Sequence, residues 1–373
     1  MNWDQLKEYV DTLPDVGIPG CDLIVCRDHE VLFRHMAGFS DAEGKKPVDG
    51  NELYWFFSCT KLMTICAAMQ LIEAGKLHPD DPVGKYLPAY RNLNVRFGDE
   101  IRPAERVMTV RHLMSMQSGL DYDLEKPSLR RVIEETGGTA NTRRLVDAMA
   151  EAPLCFEPGT DYLYSLGHDV VAAIIEVVSG ERFSDYLNRH IFEPLHLHGF
   201  SFSLPAEEES RLADIYMREE DHNTLLPKQS NNYRLTDAYE SGGAGLVGCA
   251  DEFAVFLDAI ACRGRGKEGQ AILSPEMIQL WSANQMTAQS RRSFDLHNRR
   301  GYSYALGVRT RVDLSIGGTG RIGEFGWDGA AGSWAMIDPD LHLSAFFAMH
   351  VRAFRYVYDV VHPTIRSLIY ESL

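Results

Sequence analysis

No stretch of this sequence approaches the roughly 18 consecutive apolar residues that a membrane-spanning helix needs. Its opening, Met-Asn-Trp-Asp-Gln-Leu-Lys-Glu-Tyr-Val, has neither the basic segment nor the apolar core of a secretion signal. A cytoplasmic protein with no membrane span is the expectation. Positive charge is scarce: 37 Lys and Arg stand against 53 Asp and Glu, a formal charge of −16. That excess repels phosphate backbones and anionic lipid, so nucleic acid is not an expected partner. The seven cysteines (21, 26, 59, 66, 155, 249 and 262) are odd in number and include no Cys-x-x-Cys. Neither a disulfide framework nor a zinc ribbon fits, which leaves reduced, mostly buried thiols. Also missing are the Gly-x-Ser-x-Gly nucleophile elbow, the His-Glu-x-x-His zinc motif and the phosphate-binding Gly-x-x-x-x-Gly-Lys-[Ser/Thr] loop. The His196-x-His198 pair does not make a metal site by itself, and no metal or cofactor is expected.

What is present is a globular composition, 45% apolar and 10% aromatic over 373 residues, enough for one large or two intergrown domains. A helix is expected over residues 3–13, followed by strands Cys21–Cys26 and Val31–Phe39 around the turn Arg27-Asp28-His29-Glu30. From Leu77 to about Leu195 the pattern is helical and loop-rich. It includes a short helix capped by Thr109 and a strong one over Leu166–Val178 that stops at Ser179-Gly180. Residues 200–240 are polar and weakly periodic, hence long loops. Helices are expected over Ala250–Ala261 and after Ser274-Pro275-Glu276. Strands then follow at Tyr302–Val308, Glu324–Trp327, Ser333–Ile337 and His342–Ala348, and a last helix at about Phe354–Tyr370. The fold class is therefore α+β: an antiparallel sheet domain from residues 1–76 and 240–373, flanked by N- and C-terminal helices. A mainly helical region, 77–239, is inserted, with the active site at the interface.

The stretch Phe57-Ser58-Cys59-Thr60-Lys61-Leu62 carries the chemistry. Lys61 is the only lysine with a serine three residues before it. The helix-forming run Leu62–Ala74 ends at Gly75. Positions i and i+3 share a helix face, so the Lys61 amine can lie beside the Ser58 hydroxyl. Ser58 then sits at a helix N-terminus, where free N–H groups favour negative charge on a reacting oxygen. Cys59, one position on, points about 100° away and is read as packing. A serine hydroxyl needs a base, and a lysine of pKa about 10.4 is only ~0.04% neutral at pH 7. Burial can lower that pKa by up to ~3–5 units.

Ser58-x-x-Lys61 does not stand alone. It is followed by Gly75-Lys76-Leu77-His78-Pro79-Asp80-Asp81-Pro82-Val83, by Thr109-Val110-Arg111-His112-Leu113-Met114-Ser115-Met116-Gln117-Ser118-Gly119-Leu120, and by Tyr164-Ser165-Leu166. Gly242-Gly243-Ala244-Gly245-Leu246, Leu273-Ser274-Pro275-Glu276 and Phe325-Gly326-Trp327-Asp328-Gly329-Ala330-Ala331-Gly332 complete the series. In this order the segments resemble the β-lactamase-like serine hydrolases over about residues 15–350. The closest pattern is that of family VIII carboxylesterases and their class C β-lactamase and penicillin-binding-protein relatives.

The resemblance implies Ser58 as nucleophile, with Lys61 and Tyr164 as coupled base and acid; which of the two takes the first proton stays open. It implies an oxyanion hole from the Ser58 and Ala330 N–H groups, and substrate contacts at Trp327, Gly329, Tyr122 and Leu166. Trp55, Tyr239 and Trp334 are further candidates for the wall of an acyl pocket. Trp327-Asp328-Gly329 stands where β-lactamases carry Lys-Thr-Gly, replacing a cation by an indole, while Asp328 adds negative charge where a substrate carboxylate would sit. Leu166 replaces an amide-bearing Asn. Both changes favour esters over β-lactams. The implied activity is a cofactor-free carboxylesterase forming an acyl-enzyme on short- to medium-chain esters, with weak β-lactam hydrolysis. β-Lactamase, D-amino-acid peptidase or amidase, acyltransferase and a retired ligand-binding scaffold are the alternatives. A small-molecule ester or amide is the expected partner, and the oligomeric state is not readable.

Overall fold

The computed structural model describes residues 2–228, 230–295, 301–316 and 318–373. Its centre is a seven-stranded antiparallel sheet. The strand order is Glu30–Gly38, Gly20–Arg27, Leu343–Met349, Trp334–Asp338, Phe325–Gly326, Arg309–Arg311 and Tyr302–Tyr304. Chain ends are thus interleaved: the second strand of the sequence pairs with the first, and the first pairs with the last long one, Cys21 opposite Met349.

Alternation along the strands decides what each face meets. Leu23, Val25, Ala345 and Phe347 point to one side, where Leu6 and Val10 of helix Asp4–Asp11 and Ile365 and Ile369 of helix His362–Ser372 close over them. Ile24, Cys26, Phe346 and Ala348 point to the other, against Phe253 and Leu257 of helix Ala250–Ala261. With both faces covered, strand Leu343–Met349 is buried throughout and reads as an apolar run interrupted only by Ser344.

Helix Thr60–Glu73 belongs to the second cluster and is apolar on nearly every side. A helix with no polar face must be buried on all sides, and this one packs against Gly167–Ser179 and Pro275–Ser282. Gly180 closes Gly167–Ser179 in the left-handed conformation, at φ 77°. The capping of Val110–Met114 by Thr109 is as expected, reinforced by His112 returning a bond to the Thr109 N–H.

Three expectations are corrected. Tyr302–Val308 is not one strand: Gly307, at φ 76°, turns the chain so that Tyr304 pairs with Arg309. Residues 200–240 hold a hairpin, Ile215–Glu219 with His222–Leu226, joined on its outer side by Val351–Arg352. The region after Leu77 also contains a hairpin, Asn94–Phe97 with Glu100–Pro103. Both hairpins are polar and partly exposed, so alternation leaves little mark on them.

Phe346 stacks on Phe253 at 4.4 Å between ring centroids and meets Phe56 edge-on at 5.4 Å. It joins the central strand to the segment before Ser58. Phe346→Ala leaves a cavity at this junction and lowers unfolding free energy by about 3–5 kcal/mol, measured by urea denaturation.

Candidate active site

Strand Leu53–Trp55 ends in a single tight turn, Phe57–Cys59, that leads into helix Thr60–Glu73. Phe57 has φ +46°, a left-handed conformation costly for a bulky side chain. Its surroundings hold it there: the ring is fully buried against Tyr233 and His350, beneath the Arg352 guanidinium. The turn is anchored from behind, since Phe56 N–H donates to Leu246 O at 3.0 Å and Leu246 N–H donates to Thr60 Oγ1 at 3.1 Å. Ser58 emerges from this strained turn at the floor of a cleft of about 900 Å³.

Below it lies Lys61, with no exposed surface. Its Nζ is 3.2 Å from Ser58 Oγ, 3.3 Å from Tyr122 Oη and 2.6 Å from Gly243 O. Burial pushes the Lys61 ammonium down to about 8, with the nearby Asp169 carboxylate opposing the fall. At pH 7 roughly a tenth of such lysines are neutral, against ~0.04% for a free one. Tyr122 is held as a neutral phenol, burial raising it well above its ordinary value, and its hydroxyl faces the Ser58 side chain.

Tyr164, on the loop before helix Gly167–Ser179, stacks on Tyr122 at 5.5 Å and on Trp327 at 5.6 Å. Lys61 Nζ lies 4.8 Å from the centre of its ring, and its hydroxyl accepts from Trp327 Nε1 at 2.9 Å. Burial pushes the Cys59 thiol up to about 12; its Sγ faces Trp327 O and Ser333 Oγ, turned away from the cleft.

The far wall is residues 327–330, continuing from strand Phe325–Gly326 and bridged to Trp334 through Asp328. Gly329 passes so close to the Ser58 turn that a Cβ there would lie 2.5 Å from Phe56 O and 2.2 Å from Ser333 Oγ. Its N–H donates to Ser333 O at 2.8 Å, and its carbonyl accepts from Tyr358 Oη at 2.7 Å and from Gly332 N–H at 3.0 Å. Among the described residues, the Ala330 and Ser58 N–H groups donate to no protein acceptor. Both residues line the cleft.

Ser58, Tyr122, Tyr164, Trp327, Gly329 and Ala330 therefore line a single cleft, with Lys61 beneath. Leu166 does not: it is buried at the start of helix Gly167–Ser179 and joins the core. Trp55, Tyr239 and Trp334 are likewise core residues; Trp55 donates to Lys228 O, Tyr239 to Asp169, and Trp334 stacks on His362. Asp328 is not a bare negative charge, because Arg309 pairs with it at 2.5 Å and both are buried. Tyr122, expected as a substrate contact, lies within hydrogen-bond range of the lysine itself. Tyr162, Leu124, Tyr233, Leu235 and Tyr358 complete the aromatic and apolar part of the lining, Asp123, Glu125 and Asn232 add polar groups to it, and Arg355, paired with Asp359 at 2.8 Å, stands at the mouth. No local spacing announces these residues, which come from four separate segments.

Among the described residues, one His/Cys/Asp group has metal-compatible spacing: His29, Asp258 and Cys262, with ligand atoms within 4.8 Å of one another. None of the three lines the cleft. The His29 ring and N–H bond to Asp258 at 2.7 and 3.2 Å, and Cys262 Sγ bonds to the same carboxylate, so the group closes on itself. No described helix is long and apolar enough to cross a membrane.

The chain matches the sequence profile of the family described as Beta-lactamase across residues 6–356. Protein Rv1367c of Mycobacterium tuberculosis is 26% identical over 356 residues, covering 92% of this chain and 88% of that protein. Esterase EstB of Burkholderia gladioli is 31% identical over 268 residues, 65% of each chain. Among solved structures, EstCE1, a hydrolase with promiscuous acyltransferase activity, superposes with a TM-score of 0.81 at 25% identity, covering 98% of both chains.

Gly329→Ala forces the wall away from the Ser58 turn while leaving every titratable group in place. Hydrolysis of an activated ester should fall by about 10²-fold or more in kcat, read by stopped-assay kinetics on protein whose melting curve is retained.

Proposed function

The chain belongs to the Beta-lactamase family, within the β-lactamase-like serine hydrolases, and from that premise we propose that it is a carboxylesterase working through an acyl-enzyme on Ser58. The observation that carries the reading is a serine hydroxyl 3.2 Å from a fully buried lysine amine, at the floor of an aromatic cleft. Esterase EstB, at 31% identity, supports the ester side of the reading.

In the proposed reaction, Ser58 Oγ attacks the ester carbonyl carbon as its proton passes to neutral Lys61. The carbonyl oxygen becomes an oxyanion facing the Ser58 and Ala330 N–H groups; such donors are worth about 3–4 kcal/mol each. Collapse restores the C=O bond and breaks the bond to the alcohol oxygen. The alcohol leaves with the proton from Lys61, relayed by Tyr164 as coupled acid or by the adjacent Tyr122 hydroxyl. Water then attacks the acyl carbon, gives a proton to the same lysine and releases the acid with Ser58 protonated again. The reaction consumes ester and water and needs no cofactor.

The lining argues for the kind of ester. Trp327 offers apolar area and one N–H, already engaged by Tyr164, and no charge for a substrate carboxylate. Arg355 is a cation at the mouth, but Asp359 neutralises it. Neutral esters of short to medium chain suit such a cleft, and its volume of about 900 Å³ leaves room for a bulky alcohol half. That room, together with EstCE1's promiscuous acyltransferase activity, favours one second reading: transfer of the acyl group to an alcohol in place of water.

Ser58→Ala should abolish ester hydrolysis, and a fluorophosphonate probe should label Ser58 alone in the wild type. Turnover by the variant, or labelling of another serine by peptide mass mapping, refutes the nucleophile. For specificity, kcat/KM for p-nitrophenyl butyrate should exceed that for a chromogenic cephalosporin by at least about 100-fold, equivalent to roughly 2.7 kcal/mol. Equal efficiencies would refute the esterase assignment and leave Ser58 untouched.

A further inference from the structure

Asp169, on helix Gly167–Ser179, has no surface exposed and no part in the steps above. Its Oδ1 collects three donors: Ser241 Oγ at 2.6 Å, Tyr239 Oη at 2.8 Å and Gly243 N–H at 3.4 Å. Three donors on one oxygen suit an acceptor-only carboxylate. Oδ2, equally buried, has no hydrogen-bond partner among the described residues. A dehydrated carboxylate oxygen left bare is expensive unless a cation lies close by. Burial raises the Asp169 carboxyl above its ordinary value, and the hydrogen bond from Ser241 and the field of the Lys61 cation oppose that rise.

One residue joins the two. Gly243 gives its N–H to Asp169 and takes the Lys61 amine on its carbonyl at 2.6 Å. The residue has to be small, because a Cβ at 243 would stand 2.6 Å from Asp169 Oδ2. Its neighbour Gly242 is pinned by Thr64 Oγ1 at 2.6 Å, so the loop cannot slide along helix Thr60–Glu73.

We propose that Asp169 is a positioning residue for this site: through the backbone of Gly243 it holds the Lys61 amine against Ser58, and its charge balances the ammonium formed when Lys61 takes the serine proton. The proposal rests on the reading of Ser58 and Lys61 as nucleophile and base.

The groups facing Lys61 are Cys59 on its own turn, Tyr122 and Tyr164 on the two loops above it, Tyr233, and His168 and Asp169 on the crossing helix. Asp169 in turn faces Tyr90, Tyr122 and Tyr239. Burial keeps the Cys59 thiol at about 12 and drives His168 well below its ordinary range, so it stays neutral. Burial raises Tyr90, Tyr122 and Tyr239 well above theirs. Lys61, at about 8, then sets the rising limb of kcat/KM against pH. Removing a negative neighbour disfavours the ammonium, so that limb must move to lower pH.

The test compares wild type with Asp169→Asn, using p-nitrophenyl butyrate from about pH 6 to about pH 10, with fluorophosphonate labelling of both proteins. The limb should shift down by roughly one pH unit, and the plateau should fall by about tenfold or more, because the developing ammonium loses its counter-charge. A purely structural aspartate would lower the amount of active protein without moving the limb. Gly243→Ala, whose methyl pushes the carboxylate off the loop, should move the limb in the same direction and gives the test if Asp169→Asn does not fold. Labelling at Ser58 in wild type and variant with an unmoved limb overturns the role of Asp169 alone. Wild-type protein unlabelled at Ser58 removes the reading beneath it, and the proposal with it.

Discussion

Burying the amine of Lys61 is the constraint around which the rest of the structure is arranged. An ammonium taken out of water must either be compensated or give up its proton. Here the compensation is partial: a carbonyl at 2.6 Å, two hydroxyls at 3.2 and 3.3 Å, and the carboxylate of Asp169 nearby. The amine is left near 8, poised between its two states. The helix that carries it can be this deeply buried only because it has no polar face to hydrate, and its neighbours can approach only because residues 242 and 243 are glycine.

The sheet supplies the second half of the arrangement. Gly329 is drawn so close to the Ser58 turn that a Cβ there would have no room, and its own polar groups are consumed by Ser333, Gly332 and Tyr358. The next N–H, that of Ala330, donates to no acceptor among the described residues, and Ala330 lines the cleft. Tyr358 comes from the last segment of the chain, so the C-terminal helix that covers one face of the sheet also fixes the wall of the cleft. Strain at Phe57 belongs to the same design: the left-handed turn aims Ser58 outward, and packing against Tyr233 and His350 keeps it from relaxing.

The aromatic stack Tyr122–Tyr164–Trp327 lines one side of the cleft with rings. Two charges that bear on it are neutralised in place, Asp328 by Arg309 and Arg355 by Asp359. The sequence reading of Asp328 as a negative charge near the substrate overlooked its partner, 19 residues earlier in the chain.

Local pattern was enough for whatever depends on neighbours in the chain. The helix after Ser58, the Thr109 cap, helix Ala250–Ala261, the first two strands and the juxtaposition of Ser58 with Lys61 all follow from spacings of two, three or four residues. Period and capping are properties of short segments, so one sequence suffices to read them. What only the tertiary structure decided involves partners far apart in sequence. Tyr122 meets Lys61 across 61 residues and Gly243 across 182, and Leu166, Trp55, Tyr239 and Trp334 withdraw into the core. Asp169 is one polar position in an apolar helix, and its bonds to Ser241 and Gly243 exist only once the loop at 241–243 has closed over it. Side-chain type records what a residue can do, but the distance and dehydration that set its chemistry exist only after the chain has packed.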